Sequence, residues 1–244
     1  MKLLVGLAVS GVALTAQAAT TNISAAAHDE AITQFPVEQA MVNILTKQAD
    51  RTMHARYKGR NLRLRDVITP VGQIEFDGRQ VMGAQLTRTR ASDEEVFSTS
   101  VGVNYFTLAP LTFYGFTTSD GLYSIGNQHA VIPKLASIGD SSTYITENVY
   151  ADSSKRKQVA KYTQAWSLSK ATKDTAWLRI QTSENLTNPQ KPNRPINEYY
   201  EINSKGEILA SGEVAIYLDG DQYKTIAYKN KCLQPKLCAA RTDQ

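Results

Sequence analysis

The sequence predicts a mainly β (α+β) fold: a curved antiparallel sheet or partly open barrel with an N-terminal helical segment packed on it. Three observations predict it. From about residue 61 onward, runs rich in Tyr, Thr, Val and Ile alternate between apolar and polar side chains, the period of a half-buried strand. Asp77-Gly78, Asp120-Gly121, Asp219-Gly220 and the stretch NSKG at 203–206 separate those runs. They read as hairpin turns, because the glycine takes a positive φ at no steric cost. Upstream of residue 61, apolar residues instead recur three and four apart, which is helical spacing.

Residues 1–18 are set apart from the fold. Lys2, the apolar run LLVGLAVSGVALTA and the small residues AQAAT have the order of a secretory signal peptide, with cleavage after Ala18 or Ala19. The apolar run is shorter than the roughly 20 residues of a spanning helix. The expected localisation is periplasmic or secreted, with no integral membrane segment once the signal is removed.

Residues 19–60 read as the helical segment. ISAAAHDEAITQ forms a first piece, and Pro36 opens a second that runs to Tyr57, since proline is favoured in a first helical turn. Val37, Met41, Ile44 and Leu45 give this second helix its apolar face, and Gly59 ends it.

Residues 61–230 read as the antiparallel β domain. Strands are expected near 61–68, 72–76, 79–90, 96–108, 111–118, 122–127, 142–151, 156–169, 175–184, 197–203, 207–218 and 222–230. Their short connections make neighbours antiparallel. NPQKPNRPIN at 188–197 carries three prolines and reads as an extended surface loop. In the tail, 231–244, Cys232 and Cys238 are the chain's two cysteines, and an even pair in an exported chain reads as a disulfide. The layout is similar to that of exported proteins that fold a curved sheet over helices, including periplasmic lipoprotein carriers. That similarity is one of architecture, with no shared motif.

The strand faces locate the candidate site. Tyr162, Gln164, Trp166 and Leu168 share one face, as do Ala176, Leu178 and Ile180, while Trp177 and Arg179 point the other way. In 208–218, Ile208, Ala210, Val214, Ile216 and Leu218 form the more apolar face, against Leu209, Ser211, Glu213 and Tyr217. An outer-membrane barrel requires an unbroken apolar outer band, and Arg88, Lys161, Arg179 and Lys224 are read as interrupting it.

Motifs for chemistry are absent from the sequence. The three histidines, His28, His54 and His129, are far apart. Ser167 and Lys170 have serine–x–x–lysine spacing without its companion motifs. The acids at 93–95 and at 219–221 do not match a calcium loop. No phosphate-cradling glycine loop occurs, and no metal or cofactor is expected. A formal charge of +4, or +3 without Lys2, does not call for nucleic acid.

The reading that follows is a non-enzymatic binding protein of the envelope. It holds a lipid or other apolar or amphipathic ligand between sheet and helix, with Trp166, Leu178 and Ile180 as the sheet wall and Met41, Ile44 and Leu45 as the helix wall. The alternative is a protein-interaction, inhibitor or structural envelope component that meets a protein partner through Trp177 and Arg179. A hydrolase with an unrecognised site is the weakest alternative.

Overall fold

Strand alternation begins earlier than residue 61, and that difference closes the sheet. The computed structural model describes residues 31–93, 95–186, 195–219 and 222–230. The expected signal peptide, most of the proline-rich loop, and Cys232 and Cys238 lie outside these residues. The elements run β1 (Gln34–Phe35), α1 (Val37–Thr46), β2 (Ala49–Tyr57), β3 (Arg60–Phe76), β4 (Arg79–Ser92), β5 (Glu95–Leu108) and β6 (Leu111–Thr118). They continue with β7 (Tyr123–Gln128), β8 (Ala136–Ser137), β9 (Ser141–Tyr150), β10 (Gln158–Lys170), β11 (Ala176–Leu186), β12 (Ile196–Ile202), β13 (Ile208–Asp219) and β14 (Gln222–Lys229).

Twelve of the strands form a closed barrel in the order β10-β11-β12-β13-β14-β2-β3-β4-β5-β6-β7-β9, with β9 pairing back onto β10. Every pairing is antiparallel, and β1 and β8 make a separate two-stranded ribbon. The barrel is therefore not partly open. The stretch expected to continue the helix to Tyr57 supplies the closing strand β2, which meets β14 at Lys229 and His54. The helix itself stops at Thr46. The end of the expected first helical piece is also extended, with Gln34–Phe35 in β1.

The physical reason lies in the spacing. After Leu45 the next helical-face positions, Gln48 and Thr52, are polar. A period of two instead places Met53 inward, at 3% exposure, between the exposed Asp50, His54 and Arg56. Arginines and the short inward residues Ala49 and Ala55 hide that alternation. The expected runs 61–68 and 72–76 are one strand, β3, with its register shifted between Pro70 and Gly72.

Asp77 and Gly78 both take positive φ, 51° and 73°, as expected of a hairpin turn. Gly59, expected to end the helix, instead joins β2 to β3, with Lys58 and Gly59 at φ 49° and 79°. That handedness matches the twist of the strands they join. At the β6–β7 seam, glycine answers a different need. A Cβ on Gly115 would lie 2.1 Å from the Ser124 carbonyl oxygen, and one on Gly126 would lie 2.8 Å from Ile145 Cδ1. Glycine at both positions lets these backbones approach.

The helix seats on the barrel through its apolar face and a few polar anchors. Val37, Ala40, Met41 and Ile44 are buried in one core with Phe106, Leu111, Ile132, Trp166, Leu168, Leu178 and Ile202. Full burial of each large side chain stabilises by roughly 1.5–3 kcal/mol. The Asn43 side-chain amide donates to the Gly206 carbonyl oxygen at 2.8 Å. Leu111 N–H donates to Glu38 Oε1 at 3.3 Å, and Glu38 N–H donates to the Pro133 carbonyl oxygen at 3.1 Å. These partners lie in the β12–β13 turn, at the start of β6 and in the β7–β8 connection. The helix thus covers the end of the barrel where those segments gather.

Inward and outward faces are partly inverted from expectation. On β13 Ser211, Glu213 and Ala215 are buried, together with Ala210 from the more apolar set. Arg88 also points inward, its side chain 11% exposed, so it does not interrupt an outer band. On β14 the face of Lys224, Ile226 and Tyr228 turns inward, with Ile226 and Tyr228 buried. The reason is electrostatic. The inward Arg88 pairs with Glu213, so a charged position occupies the core register.

Candidate functional site

Beneath the helix the barrel interior holds a cavity of about 250 Å³. Met41, Ile44 and Leu45 contribute from α1, and Ile68, Leu86, Phe113 and Ile180 supply apolar wall from β3, β4, β6 and β11. Four of the six expected ligand-binding residues, Met41, Ile44, Leu45 and Ile180, are therefore brought together on its wall. The other two are not. Trp166 and Leu178, 4% and 0% exposed, pack into the core around the helix. Their face points inward as expected, but they occupy the filled end of the lumen. Trp177 and Arg179 stand on the outer face of β11, where Arg179 Nε donates to Ser167 Oγ at 3.1 Å. The second, wider recess, about 810 Å³, opens at another rim, lined by Tyr57, Arg60, Phe97 and Tyr228. Phe97 there is 59% exposed.

One polar cluster on the cavity wall centres on Glu147 of β9, which is 3% exposed. Ser124 Oγ donates to its Oε1 at 3.2 Å, and Gln164 Nε2 donates to its Oε2 at 2.8 Å. Tyr144 O–H donates to Gln164 Oε1 at 2.6 Å, completing a chain of side chains. Burial pushes the Glu147 carboxyl above the ordinary carboxylate range, and the two hydrogen bonds only partly oppose it. Burial also raises the Tyr144 phenol, with the Glu147 and Glu198 charges adding to the effect. Tyr162 is raised in the same sense by burial, Glu184 and Glu147.

The second cluster is an ion network behind the cavity floor. Arg88 holds Asp66 in a two-pronged pair, Nε to Oδ1 at 2.8 Å and Nη2 to Oδ2 at 2.7 Å. The same guanidinium reaches Glu198 at 2.9 Å and Glu213 at 2.8 Å, with Arg90 3.6 Å from Glu213. The Glu213 oxygens lie at ion-pair distance but lack hydrogen-bond alignment. Burial disfavours the Arg88 charge, and the Asp66, Glu213 and Glu198 carboxylates more than offset it, so the guanidinium stays charged. Burial raises the Glu213 carboxyl, opposed by Arg88.

Asp66 and Glu198 reach the cavity; Arg88 does not. Five aromatic rings share the wall: Phe113, Phe116, Tyr144, Tyr162 and Tyr200. Phe116 stacks on Tyr162 with ring centroids 5.8 Å apart. The arrangement is a small apolar chamber with acids and hydrogen-bonding groups set into an aromatic wall. Among the described residues no group of three His, Cys, Asp or Glu side chains could hold a metal ion.

Sequence reasoning missed Glu147, Asp66 and Glu198. A signal for two of them existed. Asp66 follows Leu62 and Leu64 and precedes Ile68 on one face, and Glu147 stands between Ile145 and Val149 on another. An acid in register with apolar neighbours on a strand is an acid pointed at the core. The chain matches no family model, no curated protein and no solved structure.

Proposed function

We propose that the protein is an exported, non-enzymatic binding protein that holds one compact amphipathic molecule inside the barrel, under the N-terminal helix. The observation that carries this reading is the chamber of about 250 Å³ between α1 and the barrel wall. Natural ligand pockets of roughly 300–1,000 Å³ are mostly apolar with a few placed polar groups. This one has that make-up at a slightly smaller size, which suits a short single-chain amphiphile rather than a two-chain lipid. The signal-like N-terminus supports export to the periplasm or beyond. Exposed Asp50, His54, Arg56 and Arg65 on β2 and β3 support a barrel whose outside faces water.

A ladder of straight-chain alcohols, 1-butanol to 1-dodecanol, tests the reading by calorimetric titration of the purified protein. Affinity is expected to rise with each added CH2 by up to about 0.8 kcal/mol, then stop rising once the chamber is full. Ile180→Phe, which fills the wall, is expected to shift the optimum to a shorter alcohol. No saturable binding of any alcohol, or an optimum unmoved by Ile180→Phe, rejects the chamber as the ligand site.

A further inference from the structure

The chamber has a sign as well as a size. Its lining contains three carboxylate residues, Asp66, Glu147 and Glu198, and no Lys, Arg or His. This is a local property, because the chain as a whole is cationic at +4. Two of the three acids have their counter-ion, as Arg88 lies 2.7 Å from Asp66 and 2.9 Å from Glu198. Glu147 does not. Its hydrogen-bond partners are the neutral Ser124 and Gln164, and among the described residues no cation pairs with it.

An ionised carboxylate in a buried site is costly unless a cation meets it. The rings beside it offer the complementary surface. Phe116–Tyr162 and Phe113–Tyr144 are paired at 5.8 Å between centroids, and aromatic faces attract cations within about 6 Å. Asn104 also lines the chamber.

Resting on the reading of the chamber as a ligand site, we propose that its ligand is a small organic cation, an ammonium group on a short apolar body. The ammonium pairs with Glu147 beside the Tyr144 and Tyr162 rings, and the body lies against Met41, Ile44 and Ile180. Glu147 then gains the counter-ion that the chain itself does not provide. The carboxylate effect on the Tyr144 phenol is in keeping with a negative potential at this point.

The test compares three probes with the same chain at pH 7: octylammonium, 1-octanol and octanoate, titrated against the parent protein and Glu147→Gln. Octylammonium is expected to bind the parent tighter than 1-octanol by roughly tenfold or more, the range of a charge-assisted hydrogen bond, and octanoate weaker than both. In Glu147→Gln the ammonium's preference over 1-octanol is expected to vanish, with a cooperative melting transition showing that the variant is folded. Equal binding of ammonium and alcohol by the parent overturns the cation proposal and leaves the chamber reading standing. An ammonium preference that survives Glu147→Gln overturns the role of Glu147. Failure of all three probes, with no alcohol binding in the ladder, removes both proposals together.

Discussion

Glu147 shows how a single side chain sets a measurable property of the protein. Its carboxyl is raised in the folded state by burial, so the folded protein holds this proton more tightly than the unfolded chain does. Stability is then greatest below the ordinary carboxylate range and falls as pH climbs from there through the raised value; above that it levels off. Each unit of upward shift corresponds to about 1.4 kcal/mol of stability lost by neutral pH. Glu147→Gln is expected to match the parent at pH 4 and to melt at a higher temperature than the parent at pH 8. A smaller slope remains, because Glu213 is raised in the same direction. Melting curves for both proteins across that range check this, and identical pH slopes reject it. Inward Glu147 and Asp66 left a signal, an acid in register with apolar neighbours, whereas Arg88 reads as a solvent-facing charge until Glu198 and Glu213 on distant strands are known.

At the scale of elements, most of the chain could be read directly. The expected hairpins over 79–90, 96–108 and 111–118 correspond to β4, β5 and β6 within a few residues, because turn glycines and period-two patterning are local signals. What could not be read was β2, where helical and strand periods overlap between Leu45 and Met53. The choice is made by a partner, β3, which pairs with it from Ala49↔Ile68 to Tyr57↔Arg60. The partner in a close approach was equally hidden. Gly115, at φ 137° and against the Ser124 backbone, lies inside the expected strand 111–118, a position that signals a bulge or a close approach without saying which backbone approaches. Gly115→Ala is expected to cost about 2–4 kcal/mol, combining overpacking with an unfavourable backbone conformation. Urea denaturation measures it, and a loss under about 1 kcal/mol would show that the β6–β7 seam yields easily.

Across the whole molecule, Arg88 ties four strands together. From β4 it reaches Asp66 on β3, Glu198 on β12 and Glu213 on β13, spanning the sector that contains β14 and β2. Arg88→Ala strands buried carboxylates and is expected to destabilise by about 3–5 kcal/mol. Adding Asp66→Asn and Glu213→Gln is expected to recover part of that loss, since the uncompensated charges go with them. Chemical denaturation of the single and triple variants decides this. A triple variant less stable than the single one would show that the carboxylates stabilise independently of Arg88. The barrel's closure is likewise a property of the whole that no local window contains. The sheet was legible, its ring topology was not, because the joining pair lies at Lys229 and His54.

That joining pair also orders events in time. A growing polypeptide can zip its hairpins one after another as it emerges, yet β2 must wait for a partner 175 residues downstream before the cylinder exists. Until β14 has been made, α1 has no complete rim to sit on and the interior stays wet, so the enclosed chamber arrives only with the final strand.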